Sequence, residues 1–247
     1  MQKSASFNTD VTPISQFQSL YKLLSPGPTL DFHDTSAHGR AEIEDYIASQ
    51  FNAIYGAKIR HFMPLFLSMR CNRSPITAVG MRPAETTDLF LEQYLPDTIE
   101  SFVCQVAGKP VSRNQIIEIG NLVATQRGGS QLLFLMLTAV LLPTRYEWVV
   151  FTATPQVHKT MSRMGMPLHD LYAADPALLT NSHISEWGTY YDSHPRVVSV
   201  NVEKVMRLLC QRKAYATVIA CYQSQIDEIA RQLNSLSNGH ELHSLSA

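Results

Sequence analysis

The stretch from Gln115 to Leu142 constrains this chain most. A β-rich run, QIIEIGNLVA, passes through Thr-Gln-Arg-Gly-Gly-Ser into LLFLMLTAVLL, an apolar run from Leu132 to Leu142 interrupted only by Thr138. A helix apolar all round is a core helix, and a strand leading into it places both in a packed α/β arrangement. Paired glycines at a strand-to-helix turn let backbone N–H groups converge at a helix N-terminus, where the partial positive charge favours phosphate or pyrophosphate. The loop is neither G-x-G-x-x-G nor a Walker loop ending in Gly-Lys-Ser/Thr, so a simple tight turn stays open beside the phosphate cradle.

The apolar run is also too short for a bilayer, which needs about twenty residues. It has no polar face or basic rim of the kind that lays a helix on a membrane surface. The N-terminal MQKSASFNTDVTPISQF has no apolar signal core, so the expectation is a cytoplasmic protein with no integral membrane association. With 247 residues, 45% of them apolar, the chain has enough material for a sizeable core and is not disordered throughout. Twenty basic against twenty-one acidic side chains give a net charge of -1, which offers nothing to a nucleic-acid partner held by bulk electrostatics.

The four cysteines, at 71, 104, 210 and 221, lack the spacing of a zinc site or a disulfide framework, and read as four buried or semi-buried thiols in a reducing compartment. The nine histidines form neither HExxH nor HxH. His158, His169, His183 and His194 read as loop or surface residues, and no metal is expected. No G-x-S-x-G elbow exists for a serine hydrolase.

Residues 1–36 form a proline-containing arm (Pro13, Pro26, Pro28) with one apolar patch, Ile14 to Leu24. Helical spacing of Ile43, Tyr46, Ile47, Phe51 and Ile54 predicts a helix capped from Asp34 to Ser36 and closed at Gly56. Strand-like runs at His61–Met69 and Ile76–Met81 flank the turn residues Cys-Asn-Arg-Ser-Pro and predict a hairpin. Leu89 to Leu95 is apolar but of undecided type, and Asp97 to Val106 reads as a helix capped by Asp97. Trp148–Thr152 and Val197–Val200 read as strands, and Gln156–Met164 as a helix opened by Pro155 and closed by Gly165. One helix or a pair follows from Val202 to Leu233, and the final dozen residues are expected to fray. Trp187, Tyr190 and Tyr191 read as core packing, with an acyl pocket as the alternative.

Several of these segments resemble a known family. Glu118-Ile119-Gly120-Asn121-Leu122, Phe151-Thr152-Ala153-Thr154, Trp187-Gly188-Thr189-Tyr190-Tyr191-Asp192 and Leu89 to Leu95 look like hallmark segments of the bacterial thermostable hemolysin family, over about Arg40 to Val200. More distantly, Gly80-Met81-Arg82-Pro83, the strand Glu118 to Val123 and Arg163-Met164-Gly165 are similar to segments of acyl-homoserine-lactone synthases. Both resemblances imply a GNAT-like fold: a mixed twisted β-sheet flanked by helices, here with an N-terminal arm (1–36), an acyltransferase domain (37–200) and a C-terminal helical extension (201–247).

The resemblance also implies a reaction, transfer of an acyl group from acyl-CoA or acyl carrier protein to the amine of an amino-acid-like or other small acceptor. Glu118 stands as base or orienting group, Arg82 as anchor for it or for a substrate carboxylate, and Asn121 with the Val123–Thr125 backbone as partners of the thioester carbonyl. On the residues alone, Glu118 reads first as half of a structural pair with an Arg such as Arg82 or Arg113, and Asn121 equally fills a β-bulge. Gln126, Arg127, Gly128, Gly129 and Ser130 are the expected phosphate cradle. Gln126 and Gly129 match the acyltransferase loop, whereas Gln131 stands where that loop has Gly or Ala, which keeps the carrier protein beside coenzyme A as donor. Two other functions stay in view, a membrane-active cytolysin and a non-catalytic binding module, and a homodimer is left open.

Overall fold

A computed structural model of the chain describes residues 27–179 and 184–244. The expected apolar patch of the arm, Ile14 to Leu24, and His183 lie outside them. Seven strands form one sheet in the order β1-β2-β3-β4-β5-β7-β6. They are β1 (Thr29–His33), β2 (Leu65–Cys71), β3 (Ser74–Pro83), β4 (Ile116–Ala124), β5 (Trp148–Ala153), β6 (His169–Ala173) and β7 (Arg196–Asn201). Every neighbouring pair is antiparallel except β4 with β5, so the sheet is mixed as expected.

The helices are α1 (Arg40–Tyr55), α2 (Ile99–Ala107), α3 (Gly129–Leu141), α4 (Pro155–Met164), α5 (Val202–Cys210), α6 (Lys213–Cys221) and α7 (Gln223–Ser244). The apolar run becomes α3, whose residues from Leu132 to Leu141 are all buried. It lies between the sheet and the remaining C-terminal helices, in a core that also takes Val205, Leu209, Val218, Ile226 and Leu233. The C-terminal segment is thereby part of the main core. Helix α7 continues where fraying was expected, with Leu236 still packed against that core.

On the opposite face the cover is divided. Helix α1 packs Ile43, Ile47 and Phe51 over Phe66, Ala78 and Val123. Helix α2 and a 3-10 turn at Phe90–Tyr94 cover Ile116, Trp148 and Val150. Polar Glu118 and Gly120 lie on this face between the two clusters, because Ile117 and Ile119 point at α3.

Several local expectations differ in detail. Cys71 and Cys104 are half-buried as expected, but Cys210 and Cys221, the last residues of α5 and α6, are exposed. Helix α1 begins after Gly39, because the Asp34 carboxylate is taken by the N–H and hydroxyl of Ser36 in a turn upstream. The Asp97 carboxylate bonds the Thr98 N–H, and α2 starts after Thr98. The C-terminal stretch is three helices rather than one or two. Two edge strands were not anticipated, β1 inside the expected arm and β6; both are short and only partly apolar, so neither gives a strand pattern. The hairpin turn falls at Asn72 and Arg73, both at positive φ, the geometry of a tight two-residue connection.

Because α3 is enclosed by sheet and helices, truncating its fully buried Leu135 should leave a cavity and cost about 2–5 kcal/mol. Chemical denaturation of Leu135→Ala against the parent chain checks this.

Candidate functional site

Strands β4 and β5 pair only from Ile116–Trp148 to Ile119–Phe151. Beyond that point β4 runs on to Ala124 beside β3 alone, and β5 runs on to Ala153 beside β7 alone. The sheet therefore splits at the C-terminal ends of its two parallel strands. The split opens into a cavity of about 420 Å³ lined from both faces, by Glu118, Gly120, Asn121, Thr152 and Arg82, and by Ile119, Phe151 and Val157 from the α3 side.

Glu118 is 2% exposed at the cavity wall. Its Oε2 accepts the Phe90 N–H at 2.9 Å and its Oε1 accepts the Leu91 N–H at 2.9 Å. The carboxylate thus sits on the open N-terminal amides of the 3-10 turn, a favourable place for negative charge. Arg82 pairs with it across the β3–β4 register and brings Nη1 to 3.6 Å from Oε2. Burial outweighs these attractions and pushes the Glu118 carboxyl up to about 7, with the Arg82 charge and the two amides pulling it down. Arg113, the other candidate partner, is held instead by Glu92 and Glu100. Among the described residues the Arg82 guanidinium makes no other polar contact, and Arg82 itself lines the cavity.

Asn121 sits at φ 49 where the β3–β4 register shifts, which makes it the αL residue of a β-bulge. Its Oδ1 accepts the Met63 N–H at 2.9 Å, and this ties the segment after α1 across the sheet. Met63 then lies on two glycines: a Cβ at Gly80 would come within 2.6 Å of the Met63 Cβ, and one at Gly120 within 2.6 Å of its Cε. Arg40 fixes the same segment through the carbonyls of Met63 and Pro64, each at 2.7 Å. None of the Met63, Arg40 and Gly80 roles was anticipated, since they depend on contacts distant in sequence. Gly80 within a strand is the only local hint.

The expected cradle forms at the same end of β4 but not on the cavity wall. Gly128 takes φ 84 as N-cap of α3, and a Cβ on Gly129 would meet Thr77 Cγ2 at 2.9 Å, so both glycines are required by the turn itself. Gln126 and Arg127 are exposed, Ser130 is half-buried, and the N-terminus of α3 opens to solvent beside them. The Thr125 N–H is committed to the Ile76 carbonyl at 3.0 Å and Val123 is buried beneath α1, so neither faces the cavity.

Trp187, Tyr190 and Tyr191 line the cavity with Phe90 and Tyr94 as a wall of tilted and edge-on rings, centroids 5.1–6.5 Å apart. The Tyr94 and Tyr191 hydroxyls bond each other, and the Tyr190 hydroxyl reaches the Thr152 carbonyl at 3.4 Å. Burial raises all three phenols, Tyr191 to about 12, so they stay neutral. Gly188 fixes this wall to α1: it stands at φ 53 and a Cβ there would fall 1.9 Å from the Tyr55 carbonyl oxygen. Among the described residues no group of His, Cys, Asp and Glu is arranged to hold a metal, and no helix is long and apolar enough to cross a membrane.

A family model described as thermostable hemolysin matches residues 33–206, and the chain belongs to that family. No curated protein matches it. Among solved structures it is similar to FeeM, an N-acyl amino acid synthase from uncultured soil microbes, at 12% identity and a TM-score of 0.50, over 73% of this chain and 94% of that one. That likeness is one of fold, the GNAT-like mixed sheet flanked by helices. The acyl-homoserine-lactone synthase LasI aligns at 11% identity and a TM-score of 0.48, over 71% and 91% of the two chains.

The raised Glu118 carboxyl has a stability consequence. Between pH 4.5 and about 7 the folded state holds a proton that the unfolded chain has released, so stability falls as pH rises through that window. The loss is on the order of 3 kcal/mol. Glu118→Gln should abolish this slope, while costing about 1–3 kcal/mol at low pH because its amide nitrogen cannot accept from Phe90 or Leu91. Urea midpoints for both proteins across the window check it; equal slopes would mean that Glu118 titrates normally. Gly188→Ala should cost on the order of 2 kcal/mol through αL strain and the clash with Tyr55, read as a lowered melting temperature.

Proposed function

We propose that this member of the thermostable hemolysin family is an N-acyltransferase, moving an acyl group from an acyl-CoA or acyl carrier protein thioester to the amine of an amino-acid-like acceptor in the cytoplasm. The observation that carries the reading is Glu118, a buried carboxyl with a pKa of about 7 on the wall of a cavity that opens where two parallel strands part. A group so poised is half ionised near neutrality, the condition in which a general base is most useful.

In the reaction the amine nitrogen attacks the thioester carbonyl, the C–N bond forms, the C–S bond breaks and the thiolate leaves. The proton shed by the nitrogen goes to the Glu118 carboxylate, directly or through a water. Arg82, with donors to spare, holds the carboxylate of the acceptor beside it. The N-terminus of α3, with Gln126 to Ser130, receives the donor's phosphates outside the cavity, where charge stays hydrated. Asn121 offers its amide N–H groups to the thioester carbonyl, since among the described residues only its Oδ1 is bound, to Met63.

The family's description supports a second reading, direct lysis of membranes. Within the first reading, lysis follows from a lipid-like product. Dye release from liposomes by the protein with no thioester present would favour the direct route.

The enzyme reading is tested by incubating the protein with acyl-CoAs or acyl carrier protein and a panel of amino acids, with N-acyl products read by mass spectrometry. Glu118→Gln should lower the rate about 10²–10⁴-fold. The parent rate should rise with pH to a plateau above about 7, as Glu118 loses its proton, and the variant should lack that limb. Equal turnover by the two proteins would overturn the role of Glu118.

A further inference from the structure

We infer that the acceptor carries a second anionic group, as an acidic amino acid does, and that Lys58 and Arg60 on the segment after α1 recognise it. The inference rests on the acyltransferase reading and names the substrate class on its amine side.

The segment from Ala57 to Pro64 runs as a strap along the α1 face of the cavity and is held at both ends. The Ala57 N–H donates to the Phe51 carbonyl at 3.4 Å and the Lys58 N–H to the Glu186 carbonyl at 2.6 Å. At the far end the Met63 N–H meets Asn121, and the Met63 and Pro64 carbonyls meet Arg40. Between these anchors Lys58, Arg60 and His61 all line the cavity.

The strand register sets how far the strap lies from the reacting groups. Met63 crosses over Gly80 and Gly120, which are register partners, and Arg82 with Glu118 is the next pair on that face. Two residues of strand span about 7 Å. A substrate with its own carboxylate on Arg82 and its amine beside Glu118 therefore has the strap within a short side chain's reach, and the flexible stems of Lys58 and Arg60 cover the remainder.

Charge selects what that side chain ends in. Among the described residues the Lys58 ammonium has no ion-pair partner. The Arg60 side chain is 71% exposed with its Nε 3.7 Å from the Glu186 carboxylate, a long contact that leaves donors over. The lining thus sets Lys58, Arg60 and Arg82 against Glu118 and Glu186, and Glu118 is half protonated near neutrality. A net positive lining complements a net negative substrate. An acidic amino acid is net negative at neutral pH, a neutral one is not, and lysine has the wrong sign. The donor's phosphates leave these cations unused, since α3 and its N-terminus lie on the other face of the sheet from α1.

The test compares L-glutamate with L-glutamine as acceptors of one thioester donor, a near-isosteric pair that differs in the charge at issue. At low salt kcat/KM should favour glutamate about 2–30-fold, the span that two solvent-exposed ion pairs supply, and the margin should shrink at high salt. In the double variant Lys58→Glu, Arg60→Glu the preference should reverse, with lysine used better than glutamate. Calorimetry of L-glutamate binding without any thioester gives a second readout that needs no turnover.

Equal kcat/KM for glutamate and glutamine, with N-acyl product formed from both, would overturn the acidic acceptor and leave the transferase standing. So would a double variant that raises KM for the thioester and keeps the glutamate preference, which assigns the strap to the donor. Glutamate binding that the double variant loses, with no transfer from any thioester, would keep the anion site and remove the transferase. Neither binding nor transfer would remove both.

Discussion

The site is organised by one buried charge. Glu118 lies in the middle of a strand with 2% of its surface exposed, and a carboxylate there is tolerable only with partners on every side. Two partners are the Phe90 and Leu91 amides, which accounts for a 3-10 turn beginning at this spot. The third is Arg82, whose position follows from the β3–β4 register that sets it directly opposite Glu118. A slip of one residue in that register would turn Arg82 toward α3 and leave the carboxylate alone against the 3-10 turn. Sheet register, cover segment and titration behaviour are thus one problem with one solution.

The second constraint is the opening in the sheet. A cleft between strands normally leaves backbone groups without partners, a cost that sheets avoid. Here β4 bends at the Asn121 bulge, so its far half keeps its bonds to β3 while diverging from β5. The bulge also explains the cluster of small residues around it. Met63 must cross directly over Gly80 and Gly120 for its N–H to reach Asn121, and a side chain on Gly80 would displace it. The resulting strap is held by Arg40 at the start of α1 and the Trp187–Tyr191 stretch by Tyr55 at its end, so that helix supports both rims of the cavity.

Much of the architecture was legible in the sequence because it depends on local pattern. The apolar run at Leu132–Leu142, the Pro155 start and Gly165 stop, and the Gly56 stop each announce themselves within a few residues. The two short edge strands were not legible, since β1 and β6 owe their existence to the edges they extend. For the site, Glu118 was visible as a carboxylate among isoleucines, and the structure pairs it with Arg82, caps it with two amides and sets it on the cavity wall. Asn121 likewise is both bulge residue and cavity wall. The cradle residues were found as a turn, but that Val123 and Thr125 would be committed elsewhere depends on α1 and β3, which no local pattern reveals. The aromatic residues read as core are core on one side and cavity wall on the other, a distinction that burial alone does not make.

Burial links the two halves of the cavity. The 3-10 turn that carries part of the aromatic wall covers Glu118, and that burial lifts its carboxyl toward neutrality. Removing the wall to admit solvent would lower that pKa; removing Arg82 would raise it and keep the group protonated. The amides of Phe90 and Leu91 set the limit from the other side, holding the ionised form within reach at neutral pH. Phe90 therefore contributes twice, its ring to the wall and its N–H to the carboxylate, so the segment that buries the carboxyl also tempers the effect of burying it. On the acyltransferase reading, a donor whose charged part stays at the solvated end of α3 leaves that balance at Glu118 in place.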